Sequence, residues 1–110
     1  MSKTLTPLIA EGDLADDAMR QVRIAGKEAI AVYPVEGKCY ATQDTCSHAL
    51  ASLAGGWLMD YEVICPVHEG RFDIRDGKPL CFPVTEPLRT FPVDVVNNFI
   101  CADLSGAKNE

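Results

Sequence analysis

The sequence predicts an all-β protein. Short runs rich in β-branched and aromatic residues alternate with turn residues over most of the 110 residues. Seven prolines and eight glycines recur at short intervals and leave little room for long helices. The last two runs are separated by Asn97 and Asn98, and asparagine tolerates the positive φ that a tight hairpin requires.

Six segments have the composition of strands, and three glycine-containing turns, AGKE, EGK and RDGK, separate or follow them. The predicted strands are residues 19–24 (MRQVRI), 29–35 (AIAVYPV), 39–43 (CYATQ), 71–74 (RFDI), 90–96 (TFPVDVV) and 99–104 (FICADL). Only one of them lies between about residues 43 and 85, so this middle segment is expected to be largely irregular, with strands on both flanks.

Length and composition predict one domain, residues 1–110, of an ordinary globular protein with 47% hydrophobic and 24% charged residues. No apolar run approaches the ~18 residues of a membrane span, and the first residues lack the pattern of a secretory signal. A cytoplasmic location is therefore expected, and five cysteines cannot all pair within one chain. The formal charge of −6 comes without a basic patch, which argues against nucleic acid or an anionic membrane as a partner.

Both histidines of the chain lie beside a cysteine. Cys46-x-His48 is followed, after the sixteen residues 49–64, by Cys65-x-x-His68. Two thiolates and two imidazoles suit either tetrahedral zinc or an iron–sulfur site. Zinc fingers usually take both cysteines from one loop and both histidines from another, whereas here each loop supplies one of each. This arrangement fits a binuclear cluster with one iron held by Cys46 and Cys65 and the other by His48 and His68.

The motif resembles that of Rieske proteins, in which C-x-H precedes C-P-x-H. The segments ATQDTCSHA, CPVHEGRFDIRDGKPLC and PVTEPLRTFPV are similar to the small Rieske ferredoxins of bacterial aromatic ring-hydroxylating dioxygenases, of the naphthalene and biphenyl type. The similarity extends from about residue 5 to residue 104. One position departs from it: many Rieske proteins have glycine directly after the second histidine, whereas this chain has Glu69, followed by Gly70.

The resemblance implies the Rieske fold, an antiparallel β-sandwich-like base with an inserted cluster-binding subdomain at about residues 43–85. A third loop around Pro83 would cover the cluster. One [2Fe–2S] cluster would be bound by Cys46, His48, Cys65 and His68.

The resemblance further implies a monomeric one-electron carrier that is not itself an enzyme. It would receive electrons from an NAD(P)H-dependent flavoprotein reductase and deliver them to the terminal oxygenase of an aromatic ring-hydroxylating dioxygenase. Two alternatives stay open at this point. One is a Rieske small subunit of a nitrite-reductase-like assembly, and the other is a zinc-stabilised structural module without redox function.

The residues around the motif predict a low reduction potential. Two imidazoles in place of two thiolates make the oxidised cluster neutral rather than dianionic, which raises the potential of all Rieske centres. High-potential Rieske proteins resemble one another in a disulfide between the two loops and in a serine and a tyrosine after the second histidine. Here those positions hold Ala51, Val67, Gly70 and Phe72. A potential near the lower limit of the Rieske range, about −150 mV, is expected.

The other three cysteines, Cys39, Cys81 and Cys101, lie in or beside apolar runs and are predicted to be small packing residues.

Overall fold

The all-β prediction is confirmed by a computed structural model, which describes residues 5–14, 18–47, 51–67, 69–80 and 86–104. Within these ranges the chain forms ten strands and two short 3-10 helices, Glu11–Asp13 and Leu53–Gly55. The strands are β1 (Thr6–Ala10), β2 (Arg20–Val22), β3 (Ile30–Val35), β4 (Lys38–Gln43), β5 (Trp57–Met59), β6 (Glu62–Ile64), β7 (Arg71–Asp73), β8 (Thr90–Phe91), β9 (Val93–Val96) and β10 (Phe99–Ala102). No helix in the described ranges is long and apolar enough to cross a membrane.

The strands form three antiparallel sheets. Their orders are β1-β10-β9, β2-β3-β4-β8 and β5-β6-β7. We refer to the first two sheets as the base. The third sheet lies in the chain between β4 and β8, and we call residues 44–80 the insert. This order agrees with a base interrupted by a smaller unit in the middle of the chain.

The expectation of a largely irregular middle segment is wrong for β5 and β6. Each of these strands has three residues, WLM and EVI, which is too short to show the apolar–polar alternation of a half-buried strand. They pair in register from Trp57↔Ile64 to Met59↔Glu62. The predicted strand at 71–74 is present as β7 and completes this sheet.

The segment 90–96, predicted as one strand, is two strands in different sheets. β8 pairs with β4, whereas β9 pairs with β10. Pro92 separates them, because proline has no N–H to contribute to a continuous ladder. Its carbonyl accepts a hydrogen bond from the N–H of Asp103 at 3.0 Å.

Two of the predicted turns have the backbone geometry of tight hairpins, and one of them is the hairpin predicted at Asn97 and Asn98. Asn97 and Asn98 have φ of 52° and 67°, and Glu36 and Gly37 have φ of 52° and 80°. Positive φ at both central residues is characteristic of the type I′ turn, whose twist matches that of the flanking strands.

β3 is buried on both faces. Ile30 and Val32 pack in a core between the two base sheets, whereas Ala31 and Tyr33 pack in a second core that extends into the insert. The continuous apolar run of this strand is typical of such a position. The other buried members of the second core are Val35, Cys46, Leu53, Val63, Cys65, Phe72, Ile74 and Leu88.

An aromatic contact joins the insert to the base. The ring of Tyr61, in the turn between β5 and β6, meets that of Tyr40 edge to face, with centroids 5.9 Å apart. The guanidinium of Arg75 lies 4.2 Å from the centroid of the Tyr61 ring, and the Tyr61 hydroxyl donates to Glu36 Oε1 at 3.3 Å. These contacts fix one side of the insert against β4 and the β3–β4 turn.

Candidate metal centre

The two predicted thiol ligands meet in the interior. Cys46 is 4% exposed and Cys65 is fully buried. Both belong to the core that includes Tyr33 and Phe72, and burial together with the neighbouring Cys46 raises the pKa of the Cys65 thiol. The fold therefore brings together two cysteines from separate loops, as a shared metal site requires.

Each of these cysteines begins a loop that is closed by a backbone hydrogen bond, and the two bonds are equivalent. The N–H of Cys46 donates to the carbonyl of Ala51 at 2.9 Å, and the N–H of Cys65 donates to the carbonyl of Gly70 at 2.7 Å. Each closing bond spans five residues, and one histidine falls inside each loop. His48 and His68 themselves lie outside the described residues, so their roles as ligands stay predictions.

The first loop is the tip of a hairpin. Its two arms are joined by a bridge between Thr45 and Ser52 and by a hydrogen bond from the N–H of Leu53 to the carbonyl of Asp44 at 2.7 Å. We call residues 44–53 the first ligand hairpin. The hydroxyl of Ser47 donates to the carbonyl of Glu86 at 2.7 Å, next to residues 81–85. The predicted covering loop around Pro83, with Cys81, lies outside the described residues.

The second loop connects β6 to β7. Cys65 follows the last residue of β6, and Gly70 precedes the first residue of β7. Both ends are buried, whereas Pro66, Val67 and Glu69 are exposed. The two strands therefore hold the thiol inside, while the described residues between the two buried ends are exposed.

The environment of Cys65 favours a bound cation. Burial raises the pKa of its thiol to about 11, and the neighbouring Cys46 acts in the same direction, whereas the Val67 N–H, 3.5 Å from Sγ, acts in the opposite one. Two thiolates side by side in the interior need a positive partner, so metal binding must displace the thiol protons.

The donor set fits an iron–sulfur cluster of the mixed type. No third candidate ligand joins the two thiols within the described ranges, and the only histidines of the chain stand in the same two loops. Cys101 is buried on β10, and Cys39 is half-buried on β4. Burial raises the pKa of the Cys39 thiol to about 11, with Glu11 contributing in the same direction. Both cysteines pack as predicted.

The approach of β5 to the second loop depends on Gly56. A Cβ atom at this position would overlap the carbonyl oxygen of Ile64 and lie 3.1 Å from Cδ of Pro66. A pair of glycines in a sequence indicates only a turn, whereas the structure shows that Gly56 has no room for a side chain.

Glu69, which departs from the Rieske pattern of glycine after the second histidine, stands where the backbone conformation suits glycine. Glu69 has φ of 54°, in the left-handed region that glycine adopts without strain. Non-glycine residues there cost about 1 kcal/mol or more, and β-branched residues cost most.

Substitution of Glu69 by valine is therefore expected to lower the free energy of unfolding by about 1–2 kcal/mol, while Glu69→Gly is expected to change it by less than about 1 kcal/mol. Thermal unfolding of the three proteins would measure the difference. Equal destabilisation by both substitutions would show that the side chain, and not the backbone conformation, matters at this position.

Comparison with known proteins agrees with this geometry. A family model described as the Rieske [2Fe–2S] domain matches residues 4–92. The ferredoxin component of the naphthalene 1,2-dioxygenase system of Pseudomonas putida is 42% identical over 97 residues, covering 88% of this chain and 92% of the relative. The ferredoxin component of biphenyl 2,3-dioxygenase of Rhodococcus jostii is 42% identical over 102 residues, covering 93% and 94%.

A solved structure shows the same similarity in three dimensions. A chain in the complex of reduced oxygenase and oxidized ferredoxin in carbazole 1,9a-dioxygenase matches with a TM-score of 0.89 and 34% identity, covering 99% of this chain and 100% of that chain. The match to the Rieske [2Fe–2S] domain over residues 4–92 places the chain among iron–sulfur proteins. The chain belongs to the Rieske [2Fe–2S] domain family.

Proposed function

We propose that this chain is a one-electron carrier with one [2Fe–2S] cluster, bound by the thiolates of Cys46 and Cys65 and the imidazoles of His48 and His68. The observation that carries the proposal is the meeting of the two buried thiols at the base of two loops closed by matching hydrogen bonds. When bound, such a cluster takes up and releases one electron. The chain itself performs no bond chemistry.

The names of the relatives support a role in dioxygenase systems. We infer that this chain accepts electrons from an NAD(P)H-dependent flavoprotein reductase and delivers them to the terminal oxygenase of an aromatic ring-hydroxylating dioxygenase. It would act in the cytoplasm as a monomer, with residues 1–110 as a single domain and residues 43–85 as its cluster-binding part. A solved relative in a complex of oxygenase and ferredoxin supports the oxygenase as one partner.

The two ends of the site have different roles. The thiols belong to the same buried core as Phe72 and Tyr33, which excludes water from that side. The described residues beside His68, namely Val67 and Glu69, are exposed, and 37% of the Val67 surface is accessible. A partner would therefore approach the histidine side, where the distance from the proposed cluster to the partner's own electron acceptor is shortest.

Metal analysis tests the proposal. The purified protein is expected to contain about two irons and two acid-labile sulfides per chain and to be red-brown, with loss of colour on reduction. A colourless protein with stoichiometric zinc and intact secondary structure would support the zinc-stabilised module instead. Electron delivery to an aromatic-ring oxygenase, compared with a nitrite-reductase-like partner, would separate the two redox roles.

The low reduction potential is testable by restoring the missing hydroxyls. Gly70 and Phe72 are both buried next to the second loop, and Phe72 is fully inaccessible. The double variant Gly70→Ser, Phe72→Tyr is expected to raise the midpoint potential, because O–H donors near the cluster stabilise the additional negative charge of the reduced state. A hydrogen bond worth about 1 kcal/mol corresponds to about 40 mV for a one-electron couple.

Protein-film voltammetry or a redox titration would measure this shift. A parent protein with a potential above about +100 mV would contradict the argument from the missing hydroxyls, since it would already lie in the upper part of the Rieske range.

A further inference from the structure

Asp44 is a buried carboxylate two residues before Cys46, and the predicted ligand set does not account for it. Only 2% of its surface is exposed. Its Oδ2 accepts a hydrogen bond from Nε2 of Gln21 at 2.7 Å, and its Oδ1 accepts one from the N–H of Ala54 at 2.9 Å. A buried carboxylate is costly unless its oxygens are hydrogen-bonded, and both are bonded here.

The backbone of Asp44 ties the first ligand hairpin to the base. Its N–H donates to the carbonyl of Ala29 at 3.0 Å, and its carbonyl accepts the N–H of Leu53 at 2.7 Å. The side chain then bonds to Ala54, the next residue along, in the 3-10 helix. Asp44 therefore holds the returning arm of the hairpin through its backbone and its side chain together.

Gln21 contacts both arms of the same hairpin. It lies on β2, the edge strand of the four-stranded base sheet, and is exposed. Its Nε2 is 2.7 Å from Oδ2 of Asp44 on the outgoing arm and 3.4 Å from Oγ of Ser52 on the returning arm. One amide of the base thus bridges the hairpin just below the loop that begins at Cys46.

We propose that Asp44 and Gln21 are positioning residues for the cluster, which fix the first ligand hairpin to the base and set the environment of Cys46. The inference rests on the proposed role of Cys46 as a ligand. Neither side chain touches the metal in this proposal. Asp44 acts by holding the hairpin and by placing a carboxylate close to a site that becomes more negative on reduction, and Gln21 acts by holding that carboxylate.

Two substitutions separate these contributions. Asp44→Asn keeps the size of the side chain and one oxygen acceptor but removes the negative charge of the carboxylate. Because the reduced site is more negative than the oxidised one, loss of this charge stabilises the reduced site, and the equilibrium constant for reduction is expected to rise roughly tenfold. Gln21→Ala keeps the carboxylate and removes one hydrogen bond to it, so the hairpin is held less firmly. Release of the cluster to an iron chelator is expected to be roughly tenfold faster.

The matched control is Asp94→Asn. Asp94 is exposed on β9, in the other base sheet, so this variant changes the net charge by the same amount at a site where solvent screens the effect. Its potential and release rate are expected to equal those of the parent protein. All three variants are compared as reconstituted protein by redox titration and by the rate of bleaching in chelator.

Potentials and release rates for Asp44→Asn and Gln21→Ala that match those of Asp94→Asn would overturn the inference. If Asp44→Asn does not fold, Gln21→Ala decides alone, because Gln21 is exposed and its truncation leaves no cavity. A parent protein that takes up no iron and sulfide would instead contradict the proposed function, so the two failures are distinguishable.

Discussion

Replacement of Gly56 by alanine is expected to abolish cluster binding. The new Cβ would overlap the carbonyl oxygen of Ile64, the last residue of β6, and would press on Pro66 in the second loop. Both contacts belong to backbone or ring atoms that cannot rotate away, so β5 and β6 must separate. We expect a loss of about 3 kcal/mol or more in the free energy of unfolding, with displacement of Cys65. Iron content and thermal unfolding of the purified variant would measure both effects.

The neighbouring Gly55 provides the control. A Cβ at Gly55 would have only Cβ of Ser52 within reach, at 4.0 Å, and the residue is exposed. Gly55→Ala is therefore expected to change the free energy of unfolding by no more than about 0.5 kcal/mol and to keep the cluster. Normal iron content in the Gly56 variant would mean that β5 can move without disturbing the second loop.

Replacement of Cys65 by alanine is expected to eliminate the iron and the sulfide together. Cys65 is fully buried beside Cys46, and no other thiol in the described ranges is placed to substitute for it. Loss of one of the four proposed ligands would open one iron to other reactants and would leave the proposed cluster without its cysteine attachment to the second loop. Absorption in the visible range and iron analysis after reconstitution would show the loss directly.

Cys101 tests whether this loss is specific to a ligand. It is also a buried cysteine, 4% exposed, but it lies on β10, and its thiol donates to the carbonyl of Phe99 at 3.6 Å. Cys101→Ala is expected to lower the free energy of unfolding by about 1 kcal/mol and to retain two irons. Full metal content in the Cys65 variant would remove Cys65 from the ligand set, whatever the Cys101 variant showed.

The parts of the site that follow from residue type and order are predictable from the sequence. Few side chains have the ligand chemistry of cysteine and histidine, and their order in two short motifs restricts the kinds of metal site that the chain can form. The structure places Cys46 and Cys65 in one core, and the four-residue ligand set stays a prediction because His48 and His68 lie outside the described residues. The hairpin at Asn97 and Asn98 is equally predictable, because a local backbone requirement selects those residues.

Features that depend on distant neighbours could not be predicted. Asp44 receives its hydrogen bond from Gln21, 23 residues earlier in the chain, and no local pattern relates the two. The restriction at Gly56 comes from a carbonyl on the next strand. β5 and β6 are stabilised by pairing with each other and with β7, so their three-residue segments show no periodicity of their own.

The burial of β3 on both faces has a consequence for how the protein unfolds. Alternate side chains of this strand, such as Val32 and Tyr33, belong to different cores. Displacement of the strand would therefore disturb the packing of both cores at once. Opening of the insert therefore carries a free-energy cost in the base, which couples the two parts into one cooperative transition. The amide protons of β3 should be among the slowest to exchange with solvent, and removal of iron should accelerate their exchange although the strand carries no ligand.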